Sequence, residues 1–308
     1  MHPLRSLILA AAGNDVIRRL VATAPVSRDV VRRFVAGETT AEAIAVTRKL
    51  VDQGLSVTLD YLGEDTTDAA LAEQTVEAYL ELLDGLQRAG LAKHAEVSVK
   101  LSAVGQALDE PLARENAARI CARAEQAGTT VTLDMEDHTT TDSTLRVLAD
   151  LRATWPWVGA VLQSYLHRTE LDCARLATGG SRVRLCKGAY AEPSHVAFPE
   201  PHQVDKSYVR CANRLLGGDG FPMFATHDPR LVEILDARAE VLGRKPGSFE
   251  FQMLYGIRQD EQLRLAGKGH TVRVYVPYGV QWYGYLMRRL AERPANTAFF
   301  LRALVSRK

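Results

Sequence analysis

The chain has 308 residues, 46% of them hydrophobic, enough for one large α/β barrel or two ordinary domains around a sizeable core. Its 38 basic and 37 acidic residues nearly cancel, so no broad positive field argues for nucleic-acid binding. No apolar run approaches the roughly 20 residues a bilayer-spanning helix needs. Cys121, Cys173, Cys186 and Cys211 form neither a CxxC pair nor a zinc-type spacing, the usage of a reduced, cytoplasmic protein.

In chain order, the apolar run Leu7–Ala12 is short for a signal peptide, and Asp15, Arg18 and Arg19 continue a helical pattern. An N-terminal helix packed on the domain is the expectation there. Three short helical segments before Ser56 read as a cap or plug. Beyond them, short β-rich runs alternate with longer amphipathic ones. Strands are predicted over Ser56–Asp60, Glu96–Leu101, Thr130–Asp134, Gly159–Gln163, Val183–Lys187, Met223–Thr226, Ser248–Met253 and Thr271–Val276. Helices are predicted over Asp68–Arg88, Leu112–Gln126, Asp142–Ala153, Pro229–Leu242 and Trp282–Glu292. Asp142 is the expected N-cap of its helix, Gly90 and Gly128 the expected stops, and Pro229 an expected first-turn proline before Gly243.

Eight strand–helix units running in one direction imply a parallel sheet, and eight favour a closed (β/α)₈ TIM-like barrel over an open one. No G-x-G-x-x-G follows any strand, which counts against a dinucleotide-binding sheet. The expected organisation is one domain. A helical N-terminal region covers about residues 1–54, and the barrel with its final helix covers about 55–308.

In such a barrel, chemistry gathers at the C-terminal strand ends. Those ends carry Lys100, Asp134, Gln163, Lys187, His227, Gln252 and Tyr275, with Arg184 inside its strand. A lysine closing an apolar strand is costly to bury alone, and Asp134 is the expected counter-charge for Lys100. The run from Asp134 to His138 has metal-capable side chains, but a lysine close by opposes a cation, so no metal is expected. Alternation puts Arg182, Arg184 and Cys186 on one side of their strand, and Val183, Leu185 and Lys187 on the other. A fixed cation aimed into the barrel suits an anionic ligand or an electron-rich cofactor edge. Gly188 then permits close backbone approach, while Cys186 reads as a small core hydrophobe.

The last helix contributes Arg288, Arg289 and Glu292. Taken alone, this is a solvated basic helix end. Paired arginines can also grip a carboxylate, with Glu292 orienting a guanidinium from three or four residues away. Tyr275, Tyr278, Trp282, Tyr283 and Tyr285 crowd the approach, an apolar wall suited to a small amino acid with a hydrocarbon body.

These segments occur together in a known order: Val99–Ser102, Leu133–Glu136, Val161–Tyr165, Arg184–Tyr190, Phe224–His227, Phe251–Gly256, Arg273–Gly279 and Tyr285–Leu290. In that order the chain resembles proline dehydrogenase of the monofunctional bacterial type, from the helical N-terminus to about Phe300. The resemblance implies FAD bound noncovalently at the strand ends. It puts Arg184 beside flavin N5 and Gln163 on the isoalloxazine ring. Lys187, Gly188, Ala189, Tyr190, Thr226, His227 and Gln252 complete the cofactor contacts. It implies that Arg288 and Arg289 pair with the proline carboxylate and that Tyr275 packs on the substrate ring. Lys100, Asp134, Tyr190 and Glu292 complete the pocket.

The implied activity is oxidation of L-proline to Δ1-pyrroline-5-carboxylate, the first step of proline catabolism to glutamate. Electrons would pass to a membrane quinone, with peripheral contact at the inner membrane surface, and a separate pyrroline-5-carboxylate dehydrogenase would take the product. Two departures stand out. Cys186 replaces a usual aliphatic residue, and Ala191 stands where long bifunctional relatives have tryptophan. The Tyr275 hydroxyl is expected to crowd a 4-hydroxy group and so favour proline over hydroxyproline. Two rival readings remain: a Schiff-base aldolase using Lys100 or Lys187, and a non-enzymatic barrel that binds a small carboxylate.

Overall fold

The structure, a computed structural model, describes residues 31–292. Residues 31–34 are helical, and α1 (Thr40–Asp52) follows, opened by a capping box in which Thr39 and Glu42 satisfy each other's backbone N–H groups. Eight strand–helix units follow. They are β1 (Ser56–Tyr61), α2 (Ala69–Arg88), β2 (Ala95–Val99), α3 (Glu110–Ala127), β3 (Val131–Leu133), α4 (Thr141–Thr154), β4 (Gly159–Gln163) and α5 (Thr169–Leu176), then β5 (Arg182–Cys186), α6 (Pro201–Gly217), β6 (Phe221–Ala225), α7 (Pro229–Val241), β7 (Glu250–Leu254), α8 (Gln259–Gly267), β8 (Thr271–Tyr278) and α9 (Trp282–Glu292). The strands pair in sequence order, all parallel, and β8 closes on β1 with Thr58 opposite Tyr275. The expected (β/α)₈ barrel is the observed fold.

Strand alternation sorts the residues into two shells. Outward-facing Val57, Leu59, Val97, Val99, Val131, Leu133, Val183, Leu185, Phe251 and Val274 are buried against the helix layer. From α2, Tyr79, Leu82, Leu83 and Leu86 meet them with no exposed surface. Each such leucine stabilises the fold by roughly 1.5–3 kcal/mol relative to exposure. The inward shell is polar instead: Thr58, Glu96, Ser98, Thr132, Arg184, Glu250 and Gln252 are all buried and hydrogen-bond across the barrel. Barrels of this kind are usually filled by branched apolar side chains, so an ionic interior sets this one apart.

Helix ends follow local chemistry. Gly128 caps α3 in the left-handed region at φ 77°, and Pro229 opens α7 behind the Asp228 side chain, which accepts from Arg230 N. Asp142 is not an N-cap. The helix starts one residue earlier behind Thr140, and Asp142 lies in its first turn facing Arg168. β2 also ends before Lys100, because a 3₁₀ turn over Ser102–Val104 takes over the backbone.

Two elements depart from a simple strand–helix repeat. α1 packs outside the barrel on α2, β1 and β8, where Ile44 fills the gap above Gly85. α9 instead turns over the C-terminal mouth. Its Trp282, Tyr283, Leu286 and Met287 pack with Phe34, Val35, Leu62 and Ile257. Among the described residues no helix is long and apolar enough to cross a membrane.

Candidate active site

A cavity of about 700 Å³ opens at the C-terminal ends of the strands. Lys100, Asp134, Gln163, Arg184 and Lys187 line it from β2 to β5, with Gly188, Ala189 and Tyr190 on the following loop. Thr226 and His227 follow β6, Gln252 and Tyr275 come from β7 and β8, and Arg289 descends from α9. Residues as distant in sequence as Lys100 and Tyr275 are therefore brought to one cavity by the closed sheet, and α9 adds Arg289 from above. The side chains of Arg288 and Glu292 lie outside the described residues.

Arg184 is the most constrained of these groups. Its Nε donates to Gln252 Oε1 at 2.6 Å, and its Nη1 donates to Asp134 Oδ1 at 2.8 Å and Ser98 Oγ at 2.9 Å. Nη2 reaches Glu96 Oε1 at 3.3 Å, and the Tyr275 ring lies 5.4 Å from the guanidinium carbon. Burial works against its charge, but Asp134 and Glu96 outweigh it and hold the pKa above the ordinary value. Asp134 also accepts from Tyr275 Oη at 2.8 Å. Burial, with Asp134 adding to it, pushes the Tyr275 hydroxyl well above its usual range, so it stays a donor.

Lys100 corrects an expectation. Its main partner is Asp60, whose two oxygens accept at 2.7 and 2.8 Å, whereas Asp134 is 4.0 Å away. Burial alone would depress the ammonium, but Asp60 and then Asp134 hold it above its ordinary value. A Schiff-base lysine needs the opposite shift, and Lys187 is tied to Asp205 at 2.6 Å and Asp228 at 3.4 Å. The aldolase reading loses its nucleophile.

Three further expectations change. Cys186 is not part of the apolar shell. It faces inward with Arg184 and, at the strand end, inward means the cavity wall. Its thiol is pushed up to about 12 by burial, Arg184 only partly opposing this. The close approach at Gly188 comes from the protein itself: a Cβ there would stand 2.3 Å from the Tyr165 ring, at a backbone φ of 108°. Of the clustered aromatics, only Tyr275 and Tyr285 line the cavity. Tyr278 is fully buried in the main core, and Trp282 and Tyr283, in the first turn of α9, pack into the smaller cluster with Phe34, Val35 and Leu62.

The acidic run is committed elsewhere. Asp134 serves Arg184 and Tyr275, Glu136 accepts from Ser102, Asp137 accepts from Thr139, and His138 pairs with Glu192. His227 is fixed by Leu254 N–H, which donates to its Nε2 at 2.9 Å. Tyr190 sits at the rim, 39% exposed.

Asp60, Glu96 and Ser98 are site residues absent from the strand ends singled out above. The signal was present. Asp60 closes the first strand, and Glu96, Ser98 and Lys100 are spaced two apart, so one face of β2 carries all three.

The fold and this mouth define a barrel enzyme whose site combines buried, fixed cations with an aromatic wall. The sequence profile described as Proline dehydrogenase matches residues 43–302. Proline dehydrogenase 2 of Bacillus subtilis is 39% identical over 281 residues, covering 91% of this chain and 92% of the relative. Proline dehydrogenase of Deinococcus radiodurans is 41% identical over 284 residues, covering 90% of each. Among solved structures, proline utilization A from Bdellovibrio bacteriovorus, inactivated by N-propargylglycine, superposes with a TM-score of 0.80 at 25% identity. That match covers 92% of this chain and 34% of the larger one, so the chain spans about a third of that protein. The chain belongs to the proline dehydrogenase family.

Proposed function

We propose that this protein oxidises L-proline to Δ1-pyrroline-5-carboxylate with FAD held in the barrel mouth, as one domain over residues 1–308. The observation that carries the reading is Arg184, a buried cation braced by four side chains against the cavity wall. Beside it, Gln163 donates to Met135 O while its Oε1 is buried with no partner among the described residues. An orphaned acceptor at a cavity wall fits the ring N–H of an isoalloxazine. A volume of about 700 Å³ lies within the range of cofactor pockets.

FAD, when bound, supplies a hydride acceptor at N5. Gln163, Arg184 and Gln252 would hold its ring system. Lys187, Gly188, Ala189, Tyr190, Thr226 and His227 would seat the remainder, Lys187 giving up part of its pairing with Asp205 and Asp228. Arg184 would favour charge accumulating on the ring, because a fixed, desolvated cation needs no reorganisation when that charge develops.

The substrate side follows from the cations. Lys100, Arg288 and Arg289 would take the proline carboxylate, which does not react, so gripping it orients the ring without disturbing the chemistry. Tyr275 would pack on that ring with its hydroxyl held by Asp134, and Glu292 would steady the arginines. With that hydroxyl fixed, a 4-hydroxy substituent meets an occupied position. Equal kcat/KM for proline and hydroxyproline would remove this selectivity claim.

The electrons would pass to a membrane quinone through peripheral contact at the inner membrane surface, and a separate dehydrogenase would carry the product on towards glutamate. Turnover of L-proline with an artificial electron acceptor tests the reading, using o-aminobenzaldehyde to trap the cyclic imine. Coloured adduct from L-proline supports it. Ligand binding without turnover under several acceptors would favour the simple binding barrel.

A further inference from the structure

We infer that Glu96 is the positioning residue for Arg184, holding its guanidinium against the cavity wall and setting how much of its charge reaches a bound flavin. This rests on the reading of Arg184 as the cation beside that flavin. Glu96 lies on the inner face of β2, 1% exposed, two residues below Ser98. Its Oε1 accepts from Thr58 Oγ1 at 2.8 Å and from Arg184 Nη2 at 3.3 Å. Its Oε2 accepts from Arg182 Nη2 at 2.5 Å and Thr130 Oγ1 at 3.0 Å, while Arg273 Nε stands 3.8 Å from Oε1.

Three guanidiniums therefore share one carboxylate. The other acid of this layer, Glu250, is taken by Arg273 at 2.7 Å and Gln252 at 2.6 Å. Glu250 holds Gln252, and Gln252 holds Arg184, so both acids converge on the same side chain. Removing the Glu96 charge leaves the positive layer under-compensated directly behind Arg184. At such separations, in a desolvated interior, the change is felt several times more strongly than in water. A buried ionic layer gives little stability over an apolar one of equal volume. Its connection to Arg184 gives this layer a use beyond stability.

The test is the midpoint potential of the flavin in the Glu96→Gln holoenzyme, measured anaerobically against reference dyes. The potential is expected to move positive, by roughly a tenfold change in the reduction equilibrium, about 30 mV for two electrons. The kcat for proline is expected to change while KM stays within about twofold. The Glu96→Gln change leaves buried guanidiniums short of counter-charge, so a second variant, Glu96→Gln with Arg182→Gln, removes both partners together. Its shift is expected to be smaller and of the same sign. A purely structural Glu96 would lower flavin content and thermal stability and leave the potential of the remaining flavin unmoved; that result overturns the inference alone. A wild-type flavin that proline does not reduce overturns the functional reading and this inference with it.

Discussion

Lys100 and Asp60 show how residue-scale electrostatics shape this site. The Asp60 side chain is 2% exposed and its bidentate grip holds a lysine that is itself nearly out of water. Taking away one partner of a buried pair strands the other charge, which costs about 3–5 kcal/mol, whereas replacing both with apolar groups is often neutral. Lys100→Met is therefore expected to lower unfolding stability by that amount in urea titration. Lys100→Met combined with Asp60→Leu is expected to recover most of the loss and still bind proline poorly. Glu96 supplies a pH prediction. Burial raises its pKa, but Arg273, Arg182 and Arg184 prevail and hold it at about 2, below the ordinary 4.5. A depressed folded-state pKa adds stability above the unfolded value, lost as pH falls from 4.5 towards 2. Wild type is expected to lose roughly 3 kcal/mol across that window from this group, and Glu96→Gln to show a correspondingly flatter acid limb. Equal acid limbs in the two proteins would contradict the assignment.

At the scale of elements, the loop after β5 carries four cavity residues, Lys187 to Tyr190. It is fastened on two sides. Tyr165 N donates to Lys187 O at 2.9 Å and its ring covers Gly188, while the buried Glu192 side chain accepts from Tyr165 Oη at 3.1 Å and His138 N at 2.9 Å. Gly188→Ala must both hold φ near 108° and displace the Tyr165 ring. A cost of about 1–3 kcal/mol is expected from the backbone alone. Weakened FAD retention on gel filtration is the accompanying signature, and unchanged FAD content with unchanged melting temperature would contradict this account. The strands and their direction were legible in the sequence, because buried parallel strands read as short apolar runs between helices. Alternation on β5 was also legible, with Arg182, Arg184 and Cys186 sharing one face as observed. The loop's anchoring was not. Glu192, His138 and Tyr165 come from three βα loops, and their meeting depends on loop paths that no periodicity encodes.

At the scale of the whole molecule, barrel closure converts strand order into a site. Reading the strand ends recovered most of the cavity wall, since a closed parallel sheet sends every strand's C-terminal end to one face. It misjudged the pairing within that wall. Asp60 and Asp134 are both carboxylates at strand ends, and only the β1–β2 register, with Asp60 opposite Ser98, brings Asp60 closer to Lys100. The ionic interior was hidden for a similar reason: Glu96, Glu250, Arg182 and Arg273 each look like an isolated charge in an apolar run until the barrel closes. The cavity's fixed cations, its orphaned Gln163 oxygen and its aromatic wall all bear on one central claim, that this mouth brings a flavin and L-proline together. The most direct test is the visible spectrum of the FAD-reconstituted protein before and after anaerobic L-proline. The account predicts a flavin band that bleaches with L-proline and returns when an electron acceptor is added. A protein that takes up no FAD, or a bound flavin that L-proline leaves unbleached, would contradict it.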